Sequence, residues 1–187
     1  MEVVSVVVAG SVAVSVAFDV AVTIAVPVTG TGTFTLAGAV TVTGGAGAIG
    51  SNLSRALANA GAAKVIILDD LSASYSWNIP NLPNVLFVKG SITNDVDLKR
   101  VFHEKPDYIF HLAAFFANQN SVDYPEKSAD VDINGIIKLL DYSQFTGVDR
   151  FVYASSGCAI YGSYGEMPLK EDFISLHLTT PYQINKT

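Results

Sequence analysis

With one cysteine, Cys158, among its 187 residues, the chain cannot form an internal disulfide, and a reducing compartment, the cytoplasm, is the simpler setting. No motif pairs that thiol with a base, so it reads as a small buried hydrophobe and not as a nucleophile. Histidine is scarce as well. His103, His111 and His177 lack metal-ligand spacing, and no metal is expected. Positive charge is in short supply: 11 Lys and Arg stand against 17 Asp and Glu, giving a net charge of −6 and a pI near 4.8. The basic residues are scattered, so neither nucleic acid nor an anionic membrane face is an expected partner.

The first 38 residues lack Lys and Arg altogether, and Asp19 is the single charged residue between positions 3 and 41. Val, Ala, Ser, Thr and Gly alternate irregularly there, a β-like, low-complexity composition. An export or membrane segment is a poor match, because Glu2 stands where a basic n-region belongs and Asp19 and Pro27 interrupt the apolar run. Residues 1–38 are therefore expected to be an apolar extension outside the chemistry, in the form of added strands or of an artefact of the gene model.

From residue 39 a regular pattern is present. Short β-branched runs are expected as strands at 39–43, 64–68, 85–89, 107–111 and 150–154. Helices are expected at 48–60, 94–104 and from about 123 to 146, with Gly61 and Gly147 as stops. Such alternation predicts an α/β fold over 39–187: a doubly wound parallel sheet of Rossmann type, covered on both faces. Half the residues are apolar, enough for the core of one such domain.

Thr43-Gly-Gly-Ala-Gly-Ala-Ile-Gly50 lies between the first of these strands and the helix-like stretch that follows. Gly44 permits a tight turn, Gly47 lets backbone approach a pyrophosphate, and Gly50 lets helix pack on strand at a helix N-terminus. About twenty residues on, the second strand ends at Asp69-Asp70, where a carboxylate receives ribose hydroxyls. A carboxylate repels a 2′-phosphate, so Asp69 favours NAD over NADP. His111-Leu-Ala-Ala114 places small residues where a flat ring passes, and His111 itself reads as a packing residue. Tyr182 and Lys186, four apart, share one helix face.

In combination these motifs resemble the extended short-chain dehydrogenase/reductase family, in its NAD-dependent nucleotide-sugar epimerase/dehydratase branch, from about residue 39 to 187. The resemblance implies that Ala48 and Ile49 offer N–H groups to the pyrophosphate and that Ser91 and Ile92 belong to the adenine-contacting segment. Leu112, Ala113 and Ala114 match its HLAA strand, Asn134 its long-helix asparagine, and Tyr182 and Lys186 its YxxxK. By the same resemblance, Tyr182 is the general base, its phenol acidified by Lys186. Lys186 also holds the nicotinamide ribose, and Asn134 fixes the helix or a water in the proton path. The implied activity is epimerisation of a nucleotide sugar by hydride removal and return through a keto-sugar, with NAD as cofactor; homodimerisation is compatible with it.

Two departures qualify the match. Gly157 stands where the family carries a hydroxyl residue, which leaves Ser156 as the candidate substitute. Cys158 and Ala159 replace the acids of dehydratase and decarboxylase branches, so those reactions rank behind epimerisation. The chain also ends at Thr187, close behind Lys186, where the family continues into a nucleotide-sugar-binding region. A fragment without turnover is expected, its helix from Pro181 barely two turns long and prone to fray. A dinucleotide-binding module without catalysis is the competing reading.

Overall fold

The computed structural model describes residues 2–6, 38–116, 118–156, 173, 175 and 177–187. Valine, isoleucine and threonine runs, whose branched Cβ atoms suit pleated backbone, form β2 (Ala39–Thr43), β3 (Lys64–Asp69), β4 (Val85–Lys89), β5 (Tyr108–His111) and β6 (Arg150–Ala154). With β1 (Glu2–Val6) they make a parallel sheet in the order β1-β6-β5-β2-β3-β4. The chain winds outward from β2 to β3 and β4, then returns to β5 and β6 on the other side. The strand order therefore reverses between β2 and β5, where an open α/β sheet leaves a crevice at the strands' carboxyl ends.

Side chains alternate across the sheet and build a core on each face. On β3, Ile66 and Leu68 join Leu98, Phe102, Leu139 and Phe151 on one side. Val65 and Ile67 join Val40, Val42, Leu53 and Leu57 on the other. The helices that cover these faces are α1 (Ala48–Asn59), α2 (Asp95–His103) and α5 (Gly135–Thr146). Asn94 caps α2 by accepting from the Val96 and Asp97 N–H groups, and Gly147, at φ 74°, ends α5 in the left-handed conformation.

The long helix expected from about 123 to 146 runs from Pro125 to Thr146, with a π turn inside it. The expected stretch contains the end of α3 (Asn118–Asp123), α4 (Pro125–Ala129), a π turn over Asp130–Asn134, and α5. Pro125 sets its start: it has no N–H to continue α3 and opens α4 at its first turn.

Glu2–Val6 belongs to the stretch expected as an extension, and it pairs in parallel along the outer edge of β6, from Glu2 opposite Arg150 to Val6 opposite Ala154. Residues 7–37 lie outside the described residues, as do Gly157, Cys158 and Ala159. Among the described residues no helix is long and apolar enough to cross a membrane, and no group of His, Cys, Asp and Glu could hold a metal ion.

Candidate functional site

The glycine turn closes the carboxyl end of β2 and feeds α1. Gly44 has φ +68°, and a Cβ on it would stand 2.8 Å from the Ala113 nitrogen in the loop after β5. A side chain is excluded there by conformation and by space alike. A Cβ on Gly50 would strike the Gly44 carbonyl oxygen and come within 2.7 Å of the Gly45 Cα. The turn thus folds onto the helix with no room for a methyl group. Gly47 N-caps α1 with no side-chain cap, and no acidic residue stands in the first turn. The positive end of the helix, with the Ala48 and Ile49 amides, is left as an anion cradle.

Asp69 ends β3 beside that cradle. Its carboxylate accepts from the Ala46 N–H at 2.9 Å, the Leu71 N–H at 2.9 Å and the Ser74 hydroxyl at 2.7 Å. This buried side chain therefore shapes the turn as well as standing at its mouth. Asp70 points outward and caps only its own turn through the Ser72 N–H. At the end of β4, the Ser91 N–H donates to Asp97 and its hydroxyl pairs with Thr93. The Ile92 side chain packs in the core against Gly135, so the backbone is what Ile92 offers a ligand.

Between β2 and β5, Thr43 Oγ1 meets His111 Nδ1 at 2.7 Å and accepts from the Ala113 N–H at 3.3 Å. The Leu112 N–H donates to the Thr43 carbonyl. Together these bonds fix Leu112 and Ala113, and with them the start of the Leu112-Ala113-Ala114 segment, beside the glycine turn. His111 is fully buried and stacks on Tyr153. Burial, with the Lys186 charge second, pulls its pKa down to about 3, so the imidazole is neutral and packs, as its position in the sequence suggested.

Tyr182 and Lys186 lie on α6 (Pro181–Lys186), which is far from frayed. Thr180 and Gln183 form a reciprocal capping box, and Pro181 pre-sets the first turn. The Tyr182 N–H donates to Ser121 Oγ on α3 at 3.0 Å, Thr180 Oγ1 to Asn118 at 3.2 Å, and Asn185 to Ser128 Oγ on α4 at 3.0 Å. These anchors replace the length the helix lacks. Tyr182 packs edge-on to Phe116, and Lys186 Nζ sits 4.7 Å from the Tyr153 ring centroid. Both side chains are 5% exposed.

Asn134 does not join this group. It is exposed and donates to Asp130 at 3.3 Å. Residues two apart on a helical turn point to opposite sides, and the π turn directs Asp132 inward instead. Asp132 is 1% exposed and interacts electrostatically with Lys186. Periodicity could not have set the phase of a helix that carries a π turn, so Asp132 escaped the sequence reading, as did Tyr153. Ser156 is half-buried at the end of the described strand, while its neighbour Ser155 is the one whose hydroxyl reaches the Lys186 carbonyl, at 3.4 Å.

A chain with a glycine turn at a strand-order reversal and a buried Tyr and Lys on one helix has close counterparts among known proteins. The model of the NAD dependent epimerase/dehydratase family matches residues 40–187. The chain belongs to that family. A UDP-glucose 4-epimerase of Mycolicibacterium smegmatis is 39% identical over 150 residues, covering 78% of this chain and 47% of the relative. Among solved structures, an epimerase from Methanothermobacter thermautotrophicus aligns with TM-score 0.76 and 61% identity, covering 79% of this chain and 44% of that one. A Thermus thermophilus UDP-glucose 4-epimerase in complex with NAD aligns with TM-score 0.72 and 33% identity over 79% of this chain and 47% of that one. The chain spans a little under half the length of each of these proteins.

Proposed function

We propose that the chain is the cofactor-binding part of an NAD-dependent nucleotide-sugar 4-epimerase acting in the cytoplasm, with UDP-hexoses as the substrate class. The observation that carries this reading is the steric demand at Gly44 and Gly50, where a Cβ would strike the Ala113 backbone or the turn's own carbonyl, beside an uncapped helix N-terminus. NAD fits it: Ala48 and Ile49 hold the pyrophosphate, Asp69 the adenosine ribose, Ser91 and Ile92 the adenine edge, and Lys186 the nicotinamide ribose. Bound there, NAD would supply the hydride chemistry at the sugar carbon, removal from one face and return to the other.

The protein's part is proton handling and orientation. Tyr182 takes the proton of the sugar hydroxyl and gives it back after the sugar has turned, and the Lys186 ammonium stabilises the phenolate this creates. Ser156 hydrogen-bonds the same hydroxyl. His111, neutral and bonded to Thr43, holds the ends of β2 and β5 in place and takes no part in the proton transfer. Ile137 and Phe145, exposed on α5, are the surface a homodimer would cover.

The test compares this chain with a version extended by a family C-terminal region, each assayed on UDP-glucose and UDP-N-acetylglucosamine, with and without Tyr182→Phe. Turnover is expected from the extended version alone, falling at least about a hundredfold in the Phe variant. Full activity in that variant would remove Tyr182 as base. A non-catalytic binding module is favoured instead if the extended version binds NAD and exchanges no hydride.

A further inference from the structure

Lys186 is buried at 5% exposure, and a buried ammonium needs a fixed counter-charge to stay protonated. The groups that face it come from four elements: Asp132 of the π turn, Tyr153 of β6, His111 of β5 and Tyr182 of its own helix. His111 is neutral, and burial drives the Tyr153 phenol well above the ordinary tyrosine range. Asp132 is the acidic group among them. Its carboxylate is fixed by the Phe115 N–H at 2.9 Å and the Ser128 hydroxyl at 3.1 Å. Ser128 Oγ in turn accepts from Asn185 at 3.0 Å, one residue before Lys186. A hydrogen-bonded chain therefore runs from the π turn to the helix that carries the lysine.

We propose that Asp132 is a positioning residue for Lys186: its buried carboxylate ties the π turn to the lysine's helix through Ser128 and Asn185 and serves the buried ammonium as counter-charge. Electrostatics point the same way. Burial lowers the lysine pKa and the Asp132 charge raises it, while burial raises the Asp132 pKa and the lysine charge is among the influences that lower it. The catalytic meaning of this arrangement rests on Tyr182 and Lys186 acting as the proton-transfer pair, but the charge pairing itself does not.

Asp132→Asn separates charge from shape, since an amide can still accept from Phe115 and donate to Ser128. The lysine side-chain NMR titration of the full chain, with the Lys186 signal assigned through Lys186→Met, reads the result without cofactor or substrate. In Asp132→Asn the Lys186 titration is expected to fall by about one pH unit or more, with the thermal midpoint little changed. An unshifted titration overturns the charge role. Ser128→Ala, which cuts the bridge and leaves the carboxylate, is the second arm: hydrogen exchange at α6 amides should quicken by about tenfold, and unaltered exchange overturns the bridge. A shifted Lys186 titration in a protein whose extended form fails to epimerise would refute the proposed reaction and leave this pairing standing.

Discussion

A neutral histidine sealed between two aromatic rings ties this fold to pH through a single residue. His111 has a folded pKa near 3 against about 6.5 when exposed. Between those values the unfolded chain binds more protons than the folded one, so folding stability is present above pH 6.5 and is lost as the pH falls toward 3. Each unit crossed removes at most about 1.4 kcal/mol from this residue alone. Urea unfolding at pH 7, 6 and 5 should give a declining midpoint, and His111→Phe, which keeps a ring between Phe151 and Tyr153, should flatten the decline. An equally steep decline in the variant would mean that carboxylates set the acid limit.

At the scale of elements, three devices hold short pieces in place: the glycine turn, the π turn and the anchored α6. The regular elements were legible because their signals are local. Strands 39–43, 85–89 and 150–154 were expected at the residues they occupy, since β-branched runs bounded by turns leave few alternatives. What could not be read was the course of residues 118–146, where Pro125 and a π turn reset the helical phase and exchange Asn134 for Asp132. The anchoring of α6 was equally hidden, because Ser121 and Ser128 are distant in sequence and carry no motif. Strand β1 brings its own expectation. It is separated from β2 by β6 and β5, so deleting residues 1–38 should leave NAD affinity within a few-fold and lower the thermal midpoint by baring the β6 edge. Complete loss of folding would show that β1 belongs to the core.

On the whole-molecule scale, the chain unites a glycine turn at an uncapped helix N-terminus with a buried Tyr182 and Lys186 docked on α3 and α4. The tight turn was legible from glycine spacing, and the shared helix of Tyr182 and Lys186 from their separation of four residues. The geometry behind each was not: that Gly50 is required by the turn's own carbonyl, and that Asp69 ties the turn together, are facts of packing. The central claim is that this cradle takes NAD. Calorimetric titration of NAD and NADP into the 187-residue chain, repeated with Asp69→Ala and Gly50→Ala, tests it most directly. NAD should bind at one site per chain, about tenfold or more tighter than NADP because the Asp69 carboxylate opposes a 2′-phosphate. Asp69→Ala should narrow that gap, and Gly50→Ala should abolish binding. NADP binding as tight as NAD, or unchanged NAD binding by Gly50→Ala, would contradict the account.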